Sequence, residues 1–161
     1  MSLPPSLPRI LELRARNSRP SSSPPHFVIG VDEAGRGPLA GPVVAAAFVI
    51  LPPNSPAPPP PLERGVADSK IVGENDREVL FGSICQCALD GRVAFETAEV
   101  DHVRIDDINI LQATFEAMSA AALALVDKVR GKEGAKATFT ILIDGNKVRS
   151  RACVFVVAHC P

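Results

Sequence analysis

Three carboxylates stand where apolar strands would be expected to end. Asp32 and Glu33 follow the run VIGV, and Asp144 follows TFTILI. Burying an unpaired carboxylate is costly, so acids at such positions need solvent or a counter-charge. Two or three of them meeting at one sheet edge would repel one another unless a cation neutralised them. An all-oxygen set of this kind suits Mg²⁺ or Mn²⁺. The cluster is therefore a candidate two-metal phosphodiester site. Asp144 taken alone has a second reading, because it precedes Gly145 and an Asp-Gly pair commonly just begins a turn.

Two further segments could contact a ligand. Gly35-Arg-Gly-Pro-Leu-Ala-Gly41 has the spacing Gly-x-Gly-x-x-x-Gly, close to a dinucleotide-binding loop. Such a loop must open a helix toward the pyrophosphate, whereas Pro38 and Pro42 interrupt helix formation and a strand-like run follows. What Gly35 and Gly37 offer is close approach of backbone to a ligand, with Arg36 between them as a phosphate or sugar contact. In Ala67-Asp-Ser-Lys70, Ser69 offers a hydroxyl and Lys70 a point charge to a phosphate. A surface lysine beside a serine turn explains the same four residues. Cys85, Cys87, Cys153 and Cys160 lack zinc-knuckle or redox spacing and read as free thiols of a reducing compartment. His26, His102 and His159 form no ligand pair.

The elements that must position these groups follow from periodicity. His26–Val31 and Val43–Leu51 read as an antiparallel pair, and Glu74–Leu89 as a helix. Arg92–Val100 alternates as a half-buried strand with Val93, Phe95 and Thr97 on one face. From Ile108 to Val129, the residues Ile108, Leu111, Phe115, Met118, Ala122, Leu125 and Val129 recur at helical spacing. Asp106 or Asp107 is the expected cap and Gly131 the expected stop. Thr138–Ile143 and Ala152–Ala158 read as buried strands, and Phe27, Phe48, Phe95, Phe139 and Phe155 as core residues rather than a base-stacking platform. The sum is an α/β chain, a mixed sheet of five strands with helices against it.

Length and composition limit what this domain can be. The chain has 161 residues, 46% hydrophobic and 22% charged, which suits one folded domain. All but one of the 16 prolines precede residue 62. Residues 1–25 carry four arginines against the single acid Glu12, and read as a targeting or disordered extension. The domain proper is then 26–161, with a proline-rich loop at 52–61. The longest unbroken apolar run, Val43–Leu51, falls well short of the about 18 residues that suggest a membrane span. A net charge of −1 gives no overall basic excess, so any nucleic-acid contact must be local.

Taken together, VIGVDEAGRGPLAGPVVAAAFVI (28–50), ADSK (67–70), IDDINILQATFEAM (105–118) and LIDGN (142–146) resemble the ribonuclease HII family, in the family's order. The resemblance implies an RNase H-like fold and metal-dependent cutting of RNA in RNA–DNA hybrids, including single ribonucleotides in duplex DNA, to leave a 5′-phosphate. It implies that Asp32, Glu33 and Asp144 are metal-binding catalytic carboxylates holding Mg²⁺ or Mn²⁺. It implies that Gly35, Arg36 and Gly37 read the 2′-hydroxyl and that Lys70, with Ser69 beside it, meets phosphate. A monomer with no membrane attachment is expected, intracellular, and mitochondrial if residues 1–25 are a transit peptide or otherwise cytoplasmic. The family's fourth metal-binding aspartate, its junction-reading tyrosine and its C-terminal helical part have no counterpart before Pro161. Alternatives are therefore a catalytically impaired hybrid-binding module, or another two-metal nuclease on the same fold.

Overall fold

The computed structural model describes residues 24–38, 40–51, 71–143 and 153–157. Ser69, Lys70, Asp144, the proline-rich stretch 52–61, Phe155's side chain and residues 1–23 of the extension lie outside the described residues. The elements in chain order are β1 (His26–Ala34), β2 (Val43–Ile50), α1 (Glu74–Leu89), β3 (Val93–Val100), α2 (His102–Ile108), α3 (Ile110–Glu133), β4 (Thr138–Ile143) and β5 (Cys153–Val157). They form one mixed sheet in the order β3-β2-β1-β4-β5. β1, β2 and β3 are an antiparallel meander, β4 runs parallel to β1, and β5 returns antiparallel to β4. This is the α/β class and five-stranded mixed sheet expected from the sequence.

Alternation along the strands decides where the core lies. Phe27, Ile29 and Val31 of β1, Val43, Ala45, Ala47 and Val49 of β2, and Phe139 and Ile141 of β4 all face α3 and are buried with it. The helix answers with Ala113, Ala117, Ala121, Leu125 and Val129. Small residues on both sides let the helix lie close to the sheet. The opposite sheet face carries α1, whose Cys87 packs with Val93 and, around them, Phe48 and Ile84. The stripe expected on α3 is accordingly shifted: its buried row is alanine-rich, and Phe115 is 43% exposed. On β3 both rows are used: Val93 is buried against α1, Ala94 and Val100 against α3, while Phe95 is half-buried and Thr97 exposed. Phe27 and Phe139 are fully buried, while Phe48 and Phe95 are only half-buried.

The continuous helix expected from Ile108 is in fact two helices. Asp101 caps α2, accepting the Arg104 N–H at 2.8 Å. Asn109 then breaks the chain with φ 71° and ψ 158°, a region that ordinarily belongs to glycine. Its side-chain oxygen accepts the N–H groups of Leu111 and Gln112 at 3.1 and 3.2 Å and so starts α3. Asp106 and Asp107 lie inside α2, and α3 passes Gly131 to stop at Gly134, where φ is 96°. With 24 residues it is long enough, and over an 18-residue window apolar enough, to cross a bilayer, although charged residues interrupt its apolar runs. Nine of them are buried, however, against the sheet, as in a core helix.

The two parallel strands are joined tightly at their start. The Phe27 and Phe139 rings stack at 5.7 Å, and the Arg130 guanidinium lies 5.4 Å over Phe139. His26 joins Thr138 and Thr140 through its two ring nitrogens at 2.9 and 3.1 Å. The Pro25 carbonyl accepts the Thr138 N–H at 2.9 Å.

Candidate active site

Beyond Val31 the same strand changes character. Glu33 continues the row of Phe27, Ile29 and Val31, and Asp32 belongs to the opposite face. Asp32 Oδ1 accepts the Glu33 N–H at 2.8 Å, so the first carboxylate is oriented by the backbone of the second. The Glu33 side chain is only 15% exposed and needs a counter-charge. Arg36 supplies it, with Nη1 at 3.3 Å from Oε1 and a side chain that remains 38% exposed. The sequence reading assigned Arg36 to a ligand and missed this pairing.

The loop that carries Arg36 is shaped by its glycines in different ways. Gly35 has φ +88°, and a Cβ built on it would lie 2.5 Å from the Pro42 carbonyl oxygen. The hairpin closes only with glycine at this position. Gly37 has no such φ, and a Cβ there would meet nothing within 4 Å. Gly37 is exposed, as is Arg36.

Sheet register sets what can gather at this edge. Asp32 and Glu33 sit opposite Ala46 and Ala45 of β2, and Val31 sits opposite Ile143, the last residue of β4. The alanines leave the carboxylates uncrowded on that side. Asp144, the residue bonded to Ile143, lies outside the described residues, so its side chain is not part of this geometry. Ser69 and Lys70 are likewise outside it. Among the described residues no group of three or more His, Cys, Asp or Glu stands together as a metal site. The structure thus brings together Asp32, Glu33, Gly35, Arg36 and Gly37 from the residues singled out in the sequence.

The profile of the family described as Ribonuclease HII matches residues 29–152. A Ribonuclease HII of Geobacter metallireducens is 56% identical over 96 residues, 60% of this chain and 40% of that protein. One of Cupriavidus pinatubonensis is 46% identical over 109 residues, 68% of this chain and 45% of that protein. One of Acinetobacter baylyi is 46% identical over 125 residues, 76% of this chain and 54% of that protein. The chain spans about half the length of the curated relatives it matches. A profile that runs from β1 to the threshold of β5, over a sheet whose first strand ends in the paired carboxylates, is enough to place the chain: it belongs to the ribonuclease HII family.

Proposed function

We propose that this chain is part of a divalent-metal-dependent ribonuclease H. It would cut the RNA strand of RNA–DNA hybrids and incise at ribonucleotides embedded in duplex DNA, leaving a 5′-phosphate. The observation that carries the reading is the parallel register of β1 with β4. It sets the strand ending in Asp32 and Glu33 beside the strand that continues into Asp144.

The donor chemistry fits a hard cation. Asp32 and Glu33 offer carboxylate oxygen, as Asp144 does by residue type, and oxygen sets of this kind suit Mg²⁺ or Mn²⁺. Asp32, Glu33 and Asp144 would hold the ion, which when bound supplies a Lewis acid that activates water and stabilises the leaving oxygen. Arg36 balances the Glu33 charge and, being exposed, can turn to a phosphate. The exposed backbone around Gly37 leaves room for a sugar to approach, and a 2′-hydroxyl is the group that distinguishes RNA from DNA there. Ser69 and Lys70 are assigned to phosphate on the ADSK motif alone. Contacts to sugar and phosphate make recognition independent of base sequence. The same reading makes the protein an intracellular monomer, mitochondrial if residues 1–25 address it there and otherwise cytoplasmic.

The test is incision of duplex DNA containing one ribonucleotide by the purified chain with Mg²⁺ or Mn²⁺, with Asp32→Asn and Asp144→Asn purified in parallel. Cutting 5′ of the ribonucleotide by the unmodified chain alone supports the assignment. Cutting that survives Asp32→Asn removes Asp32 from the site. Retained hybrid binding without cutting means that the chain binds but does not complete the reaction.

A further inference from the structure

Among the described residues β3 is a terminal strand of the sheet, so half of its backbone groups face away from β2. Which half is fixed by two contacts. Arg92 directs its carbonyl toward β2, where it accepts the Leu51 N–H at 3.0 Å. Phe95 directs its carbonyl outward, where the Lys128 ammonium lies at 3.4 Å. In an antiparallel strand a residue's N–H and C=O point the same way and successive residues alternate. Phe95 and Thr97 therefore present N–H and C=O groups to the outside. This edge runs along a cleft between Ala88 of α1 and Lys128 and Lys132 of α3.

The inward row of β3 holds an anomaly. Ala94, Ala98 and Val100 face α3, and between them stands Glu96. Its register partner on the inner strand β2 is Ala47, fully buried in the equivalent row. An apolar residue would suit Glu96's position, and a charge there is tolerated because Lys128 pairs with it. One ammonium thus meets both the inward carboxylate and the outward carbonyl of the preceding residue. Inward charges and lysines on edge strands are a recognised means of preventing strand addition.

We propose that the Glu96–Lys128 pair is a guard on the β3 edge, keeping a second copy of this chain from adding its own β3 to the sheet. A second copy is the fitting partner because its β3 presents the same edge, at which Val93, Phe95 and Thr97 are strand-forming residues. An antiparallel pair of identical edges satisfies the outward groups of both by two-fold symmetry. The guard is charge-dependent and exposed to solvent, so salt weakens it.

The experiment measures molar mass in solution, by light scattering on a sizing column, for the full chain and for E96V/K128M. Valine and methionine suit a strand and a helix facing a core, so the variant is expected to fold, and circular dichroism checks it. The expected result is a shift of E96V/K128M from the mass of the unmodified chain to twice that mass or more, growing with concentration. Adding Thr97→Pro, which removes an outward N–H and leaves the β2 ladder intact, should return the variant to the mass of the unmodified chain. Independently of that variant, raising salt should increase association of the unmodified chain and not of Thr97→Pro. The proposal is overturned if folded E96V/K128M keeps the mass of the unmodified chain. It is overturned equally if Thr97→Pro fails to reverse the association, or if salt affects the unmodified chain and Thr97→Pro alike.

Discussion

β1 joins two regions of opposite character on one strand. From His26 to Val31 it is mostly buried and tied to β4 by stacked rings and two threonine hydroxyls. From Asp32 onward it is exposed or half-exposed, with Asp32 accepting the Glu33 N–H and Glu33 pairing with Arg36 of the loop that follows. The first region spends its side chains on stability and the second keeps polar groups accessible. The two should therefore fail independently when mutated, and that independence can be tested.

The largest effect falls on activity at the carboxylate end. Asp32→Asn keeps the shape of the side chain and removes its charge. Metal-dependent cutting should fall by more than about a hundredfold, the scale of losing a group that stabilises developing charge. Stability should stay within about 0.5 kcal/mol, as is usual for an exposed site. Parallel incision assays and denaturant melts check both halves, and a collapse of stability would mean that the end of β1 is not the separable region described.

Phe139→Ala attacks the other region. The ring is fully buried, stacks on Phe27, and is the group over which the Arg130 guanidinium lies. Arg130 Nε is buried with no hydrogen-bond partner among the described residues, so loss of the ring also leaves that charge poorly served. A cost of about 3–5 kcal/mol is expected in a urea titration. Any loss of cutting should follow the loss of folded protein and vanish when activity is expressed per folded molecule.

Gly35 and Gly37 sharpen the comparison within a single loop. Gly35→Ala places a Cβ at positive φ and 2.5 Å from the Pro42 carbonyl, so the hairpin must shift. Strain of this kind costs about 1–2 kcal/mol from the backbone conformation alone. Gly37→Ala meets no neighbour and should leave stability within about 1 kcal/mol. On hybrid binding the order should reverse once stability is allowed for, with Gly37→Ala weakening discrimination between ribose and deoxyribose. Equal effects of the two substitutions on melting would show that the loop is not divided in this way.

These contrasts also mark what sequence could carry. The strands were legible because their apolar runs are short and bounded, and Glu74–Leu89 emerged as a helix with the observed ends. The carboxylates of β1 were legible because an acid after an apolar run is physically conspicuous. The break at Asn109 was not, because Ile108, Leu111 and Phe115 keep helical spacing across a residue whose backbone leaves the helix. Asn109 at the start of the long helix was the available signal, as a good cap. The rotation of α3 was hidden for another reason. Large residues dominate a periodicity count, whereas a sheet carrying Ala45 and Ala47 selects a close-packed alanine face and turns Phe115 outward. Glu33 with Arg36, and Glu96 with Lys128, are pairings made by tertiary proximity, which no spacing rule for a loop or a strand supplies.

The smallest expected effect concerns two thiols on α1, where the buried–exposed contrast recurs within one turn. Cys87 is buried against Val93, and burial pushes its thiol pKa up, with Asp90 adding to the shift and the Arg92 charge opposing it. Cys85 is half-buried. The thiolate is the reactive form, so at mildly alkaline pH Cys85 should be alkylated faster than Cys87, read peptide by peptide by mass spectrometry. The linkage has a definite sign. Because the folded protein holds the Cys87 proton more tightly than the unfolded chain, its contribution to stability is fully present below the ordinary thiol pKa. That contribution is lost as pH rises from there through the raised value. Cys87→Ala should lower stability by a small cavity cost at neutral pH and flatten the alkaline decline. A decline of unchanged slope in Cys87→Ala would assign it to another group and leave Cys87 as packing alone.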